Sequence, residues 1–173
     1  MGEAGILSED DRVELIEGEI VQMAPIGSRH AACVDRLTQL FVLRVMGRAI
    51  VRVQNPVLLN DYSEPQPDLA LLRPRADFYA SGHPAPQDVL LVVEVADTSA
   101  GIDRAAKMPL YARAGIHEAW LVDLQADQVE VHRQPTPQGY RSVQTFGRGA
   151  SFALEMLPDL TLAVADILGS TSA

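Results

Sequence analysis

Lysine is almost missing from this chain of 173 residues: thirteen of its fourteen cationic side chains are arginine, and the one lysine is Lys107. Cysteine is equally scarce. Cys33 stands alone, so no disulfide can form within the chain, and a reducing cytoplasm is the expected setting. Its place on an apolar helical face predicts a buried packing residue, not a nucleophile. Aromatic residues make up only 5% of the chain, so aliphatic side chains and alanine must fill the interior. No run reaches the roughly 18 apolar residues of a membrane-spanning helix. The opening "MGEAGILSEDDRVELIEGEI" carries early acids and lacks the apolar stretch of a signal peptide. Positive charge is also in deficit. The formal net charge is −9, so long-range attraction to a polyanion or an anionic membrane is not expected. Nucleic acid could be held only through a local cationic patch or bridging metal ions. A Walker motif, a Gly-rich nucleotide fingerprint, Cys/His zinc spacing and a lipase-type serine elbow are all missing from the sequence.

What is present is enough apolar residue, 47%, for one domain spanning 1–173. "VELIEGEIVQM" predicts two short strands around a Glu17-Gly18 turn. A helix follows, with Ser28 as its expected N-cap, Ala31, Val34, Leu37, Phe41 and Val45 along one face, and Gly47 as its stop. "AIVRVQNPVLL" reads as a strand interrupted near Asn55-Pro56, and "DLALLRP" as a short strand opening on Asp68. "VLLVVEV" does not alternate, which predicts a central strand buried on both faces. "DRAAKMPLYARAG" has a helical pattern with Gly115 as its stop, and Pro109 is expected to kink it or delay its start. "EAWLVDL", "QVEVHRQ" and "GYRSVQTFG" complete a meander, and "LPDLTLAVADILG" ends in a short helix. This order implies an α+β (α/β-like) fold around a mixed sheet.

Two carboxylates stand out. Asp68 opens one short strand and Glu94 lies near the end of the next. If these strands pair antiparallel, the start of one lies beside the end of the other. Both carboxylates border apolar runs, where they must be hydrated, paired or bound to a cation. Converging, they would form a hard-oxygen site suited to Mg²⁺ or Mn²⁺. Asp103 and Lys107 share a helical face four residues apart. They are either an exposed ion pair, contributing about 0.3–0.5 kcal/mol, or part of a helix packed back onto the Glu94 strand end. In the second case the ammonium can orient a water or stabilise charge developing on a phosphate.

The stretches "VELIEGEIVQMAPIGSRH", "PQPDLALL" and "LLVVEVADTSAGIDRAAKMPLYARAGIHEAWLVDL" resemble the Uma2 family, restriction-endonuclease-like domains of the PD-(D/E)xK nuclease superfamily. The resemblance runs from about residue 8 to residue 168. It implies a restriction-endonuclease-like mixed β-sheet core flanked by helices, with an N-terminal β-hairpin and a C-terminal β-meander. It further implies a metal-dependent endonuclease acting on DNA with Mg²⁺ or Mn²⁺. By the resemblance Asp68 and Glu94 are the metal ligands. Lys107 takes the place of the superfamily lysine, whose usual position two residues after the glutamate is Ala96 here. Glu14 matches the family's early acid, His30 the histidine at the start of its helix, and Gln54 a polar position on the preceding strand. Where family members commonly read Glu-Val-x-Ser-Pro-Ser-Thr, this chain reads Glu94-Val95-Ala96-Asp97-Thr98-Ser99-Ala100, and Asp97 is expected to cap the turn before the helix. The competing reading is a catalytically silent binding or assembly module. Tyr111 and Trp120 are expected in the core, Asp123 as a turn starter, and His83, His117 and His132 at the surface. An exposed meander edge predicts pairing across a two-fold axis, hence a homodimer.

Overall fold

The computed structural model describes residues 12–169. Glu17 and Gly18 both adopt positive φ, the backbone a tight hairpin turn requires, and join β1 (Val13–Ile16) to β2 (Glu19–Gln22). α1 (Ser28–Val45) follows. Gly27, not Ser28, occupies its N-cap, and no side chain caps it; Ser28 is already helical. Cys33, Val34, Leu37, Phe41 and Val45 form its buried face, so Cys33 packs as predicted. The helix stops where Met46 and Gly47 turn left-handed.

The next strands, β3 (Ile50–Val53), β4 (Leu69–Leu72) and β5 (Val89–Ala96), pair antiparallel in sequence order. α2 (Ala100–Arg113) then crosses over to β6 (Glu118–Asp123), which lies parallel to β5. β7 (Gln128–Thr136) and β8 (Gly139–Gly147) extend the sheet antiparallel, giving the order β3-β4-β5-β6-β7-β8. β9 (Ser151–Ala153) and β10 (Thr161–Ala163) form a small ribbon before α3 (Val164–Leu168). The outcome is a mixed six-stranded sheet flanked by three helices. Pro109 neither delays α2 nor ends it; the helix runs from Ala100 with Pro109 inside, forgoing one hydrogen bond to the carbonyl four residues back.

All eight residues of β5 are buried because the sheet is covered on both faces. Leu91, Val93 and Val95 pack with α1, α3 and the Phe41, Trp120 and Phe152 rings. Val92 and Ala96 point the other way, towards Met108, Leu110 and Tyr111 of α2. Alternation therefore puts Glu94 on the α2 face of the most buried strand. Among the described residues no helix is long and apolar enough to cross a membrane.

Candidate active site

The β4–β5 register pairs Leu69 with Val93, and one further step sets Asp68 opposite Glu94. Asp68 sits just before its strand, where its Oδ2 accepts the Val95 N–H at 2.8 Å. Its carbonyl accepts the Gln54 N–H at 3.1 Å. Gln54 adopts φ 49° at the end of β3 and donates its side-chain amide to Asp68 Oδ1 at 3.2 Å. From the start of α1, His30 brings Nε2 to 3.0 Å from Asp68 Oδ2. That hydrogen bond outweighs burial and raises the imidazole pKa, which favours the cation as donor.

Glu94 is only 3% exposed. The Tyr111 hydroxyl donates to its Oε1 at 2.5 Å. Lys107 Nζ stands 3.4 Å from both Glu94 oxygens and 3.1 Å from Glu14 Oε1. Burial pushes the Glu94 carboxyl up to about 8, with Lys107 offsetting only part of the shift. Burial opposes the charge on Lys107 too, but Glu94, Glu14 and Asp103 together hold its pKa above the usual range. Glu14, buried in the first hairpin, is fixed by the Gln66 N–H on its Oε2 at 3.2 Å.

The exposed Asp103–Lys107 pair is therefore overturned. Lys107 turns inward to Glu14 and Glu94, and Asp103 is itself buried, its Oδ2 accepting the Ser99 hydroxyl at 2.6 Å. Burial raises the Asp103 carboxyl, with the Asp68 and Glu14 charges adding to the shift. Asp97 does not cap α2. It lies between Arg29 and Gln125, 3.0 Å from each. The structure thus brings Glu14, His30, Gln54, Asp68, Glu94 and Lys107 into one cluster and adds Asp103 and Tyr111.

The family model for Uma2, described as "Putative restriction endonuclease", matches residues 4–165. The chain belongs to the Uma2 family. Among solved structures it is similar to one described as a putative nuclease belonging to DUF820 from Anabaena variabilis ATCC 29413. That likeness has a TM-score of 0.74 at 16% identity and covers 96% of this chain and 94% of the other, so the two share a fold. No curated protein matches the chain.

The donors of this Uma2 site suit a hard divalent ion. Four carboxyl groups (Glu14, Asp68, Glu94 and Asp103) gather around one ammonium and one imidazole, more acids than cations in buried surroundings. Among the described residues no three His, Cys, Asp or Glu side chains form a ready-made cage. Mg²⁺ does not require one; it keeps several waters and is commonly held by one or two carboxylates. Asp68 and Glu94 are the pair that opposed strands present together.

Sequence reasoning missed Tyr111 as a site residue, although it follows Lys107 by one helical turn on the same face. It missed a second polar cluster as well. His132 is buried, 3.2 Å from Glu130, which Arg104 of α2 grips with three hydrogen bonds. Asp123 starts a turn as predicted, its Oδ1 accepting the Gln125 and Ala126 N–H groups.

Proposed function

We propose that this Uma2 protein is a metal-dependent endonuclease that hydrolyses DNA phosphodiester bonds, with Asp68 and Glu94 holding Mg²⁺ or Mn²⁺. The observation that carries this reading is the convergence of three elements: Asp68 beside β4, Glu94 across from it in β5, and the Lys107 ammonium from α2 at 3.4 Å from Glu94. When bound, the ion supplies Lewis acidity, making water acidic enough to attack near neutral pH and offsetting phosphate charge.

The remaining work falls to the chain. His30 and Gln54 fix the two oxygens of Asp68, while Tyr111 fixes Glu94. Glu14 holds the Lys107 ammonium beside Glu94, where it can orient the attacking water and stabilise the charge that grows on the phosphate. Because two strands must be cut, the reading includes a cytoplasmic homodimer, checked by sedimentation.

Incubation with plasmid and linear DNA in Mg²⁺ or Mn²⁺ tests the proposal. Cleavage by the wild type, lost in Asp68→Ala and in Glu94→Ala, is the expected result; cleavage surviving in both variants overturns it. One observation favours a second reading, a catalytically silent module: Lys107 already occupies the side of Glu94 at 3.4 Å, in a chain of net charge −9. Calorimetric titration with Mn²⁺ separates the two, since the silent module shows no binding that depends on Asp68.

A further inference from the structure

A chain of net charge −9 offers a polyanion no general attraction, so a nuclease built on it must grip its substrate locally. We infer that Arg52, Arg73 and Arg75, gathered around Tyr79, hold the phosphodiester backbone of a DNA strand leading to the Asp68 site, with Phe78 stacking on a base. This rests on the endonuclease reading and adds the surface that reading lacks.

The position follows from the sheet. Arg52 lies in β3 opposite Ala70, two residues from Gln54, whose amide touches Asp68. Two residues along a strand is about 7 Å. Arg52 therefore stands on the sheet next to the site. Its guanidinium carbon is 5.9 Å from the centroid of the Tyr79 ring, and that of Arg75 is 4.7 Å away. The Tyr79 hydroxyl donates to the Arg73 carbonyl at 2.9 Å, tying the aromatic ring to the third arginine's backbone. A guanidinium laid over a ring can still turn an N–H edge to a phosphate oxygen, and Arg75, which gives Nε and Nη2 to Asp77 and Ser81, keeps Nη1 for one.

The charges nearby favour an anion. Arg75 pairs with Asp77 at 2.7 Å, and Asp88, the other acid near Tyr79, accepts the Ala85 N–H at 2.9 Å. Arg52 and Arg73 meet no carboxylate within 4.0 Å among the described residues. Arg73 spends its Nε on the Gln87 carbonyl, and Arg52 Nη1 is buried with no acceptor. Three guanidiniums against two carboxylates leave a local charge of +1. Several other arginines each face a carboxylate of their own, as in Arg48–Asp159, Arg113–Glu17 and Arg148–Asp127.

The backbone supplies an independent sign. Phe78 and Tyr79 both take positive φ, 51° and 63°, a costly conformation for bulky side chains. It buries Tyr79 between the arginines and leaves Phe78 69% exposed. A strained pair of aromatics, one clamped and one outward, beside Arg52 and Arg73 that face no carboxylate, matches how single strands are tracked: cationic contacts to the backbone and an aromatic face for a base.

The test is fluorescence anisotropy with fluorescein-labelled duplex and single-stranded DNA, in Ca²⁺, across a salt series. Arg52→Gln with Arg75→Gln is expected to weaken binding about tenfold or more at low salt and to reduce the log–log salt slope by about 1.8, two contacts at about 0.9 each. Phe78→Ala, at an exposed position that leaves folding intact, is expected to weaken single-strand binding about fivefold or more. Arg44→Gln with Arg48→Gln, at the far end of α1, is expected to bind like the wild type. Wild-type affinity and slope in the Arg52/Arg75 variant, or in Phe78→Ala, overturn this inference alone. Failure of the wild type to bind either DNA overturns the endonuclease reading along with it.

Discussion

The Tyr111 hydroxyl lies 2.5 Å from Glu94 Oε1, inside the layer between α2 and the sheet, where Tyr111 is fully buried and Glu94 nearly so. The bond favours the ionised carboxyl against the burial that raises its pKa. Tyr111→Phe should therefore raise the Glu94 pKa further and cost about 1.5–3 kcal/mol of stability where Glu94 is charged. Chemical denaturation at pH 9 would show the loss, and at pH 5, with Glu94 protonated, the loss should shrink.

Glu94 also sets a pH dependence of stability. Its folded pKa of about 8 lies above the ordinary 4.5, so between those values the native state holds a proton that the unfolded state has released. Its contribution is greatest below about pH 4.5 and declines, by at most about 1.4 kcal/mol per pH unit, until about pH 8. Urea melts of the metal-free protein from pH 5 to 9 measure it as the difference between wild type and Glu94→Gln. That difference should shift against the wild type as pH rises and then level off.

Metal affinity should run the opposite way. A cation at Glu94 competes with the proton, so Mn²⁺ affinity should climb about tenfold per pH unit up to about pH 8 and then flatten. Calorimetry at pH 6, 7, 8 and 9 reads this directly, together with the proton released.

Lys107→Met removes the ammonium shared by Glu14 and Glu94 and leaves two buried carboxylates facing each other. A stability loss of about 3–5 kcal/mol is expected, with DNA cleavage abolished. Lys107→Arg should not restore cleavage, because a planar fork cannot occupy the place of a compact ammonium. Thermal melts and plasmid cleavage check both variants.

Cys33 is fully buried, and burial pushes its thiol up to about 11. Native protein at pH 8 should resist alkylation by iodoacetamide, and modification should follow the denaturation curve. Mass spectrometry after timed labelling is the readout.

The strands were readable because their apolar runs are short and sharply bounded. Once β4 and β5 pair antiparallel, the meeting of Asp68 and Glu94 follows from register alone. What escaped lies on α2. Its sequence is polar in pattern, so the periodicity leaves open whether the face carrying Asp103 and Lys107 lies outward or packs inward. Lys107 stands out as the one lysine, whereas Asp103 reads equally as an exposed partner or as part of a packed-back face, and Tyr111 as ordinary core. Their spacing of four residues on either side of Lys107 was the available signal. His132 was misjudged for a related reason: it lies in the middle of β7, not near a strand end, and its burial depends on the helix above it, which strand patterning does not contain.

The contact between Glu14 and Lys107 joins positions 107 − 14 = 93 residues apart. Closing so long a loop is slow in comparison with forming a hairpin or a helix. The first hairpin can form early, but its glutamate finds the ammonium only after β3, β4, β5 and α2 have assembled. Acquisition of the complete charge cluster is therefore expected late in folding, and without this contact the chain would be folded in outline and chemically unfinished.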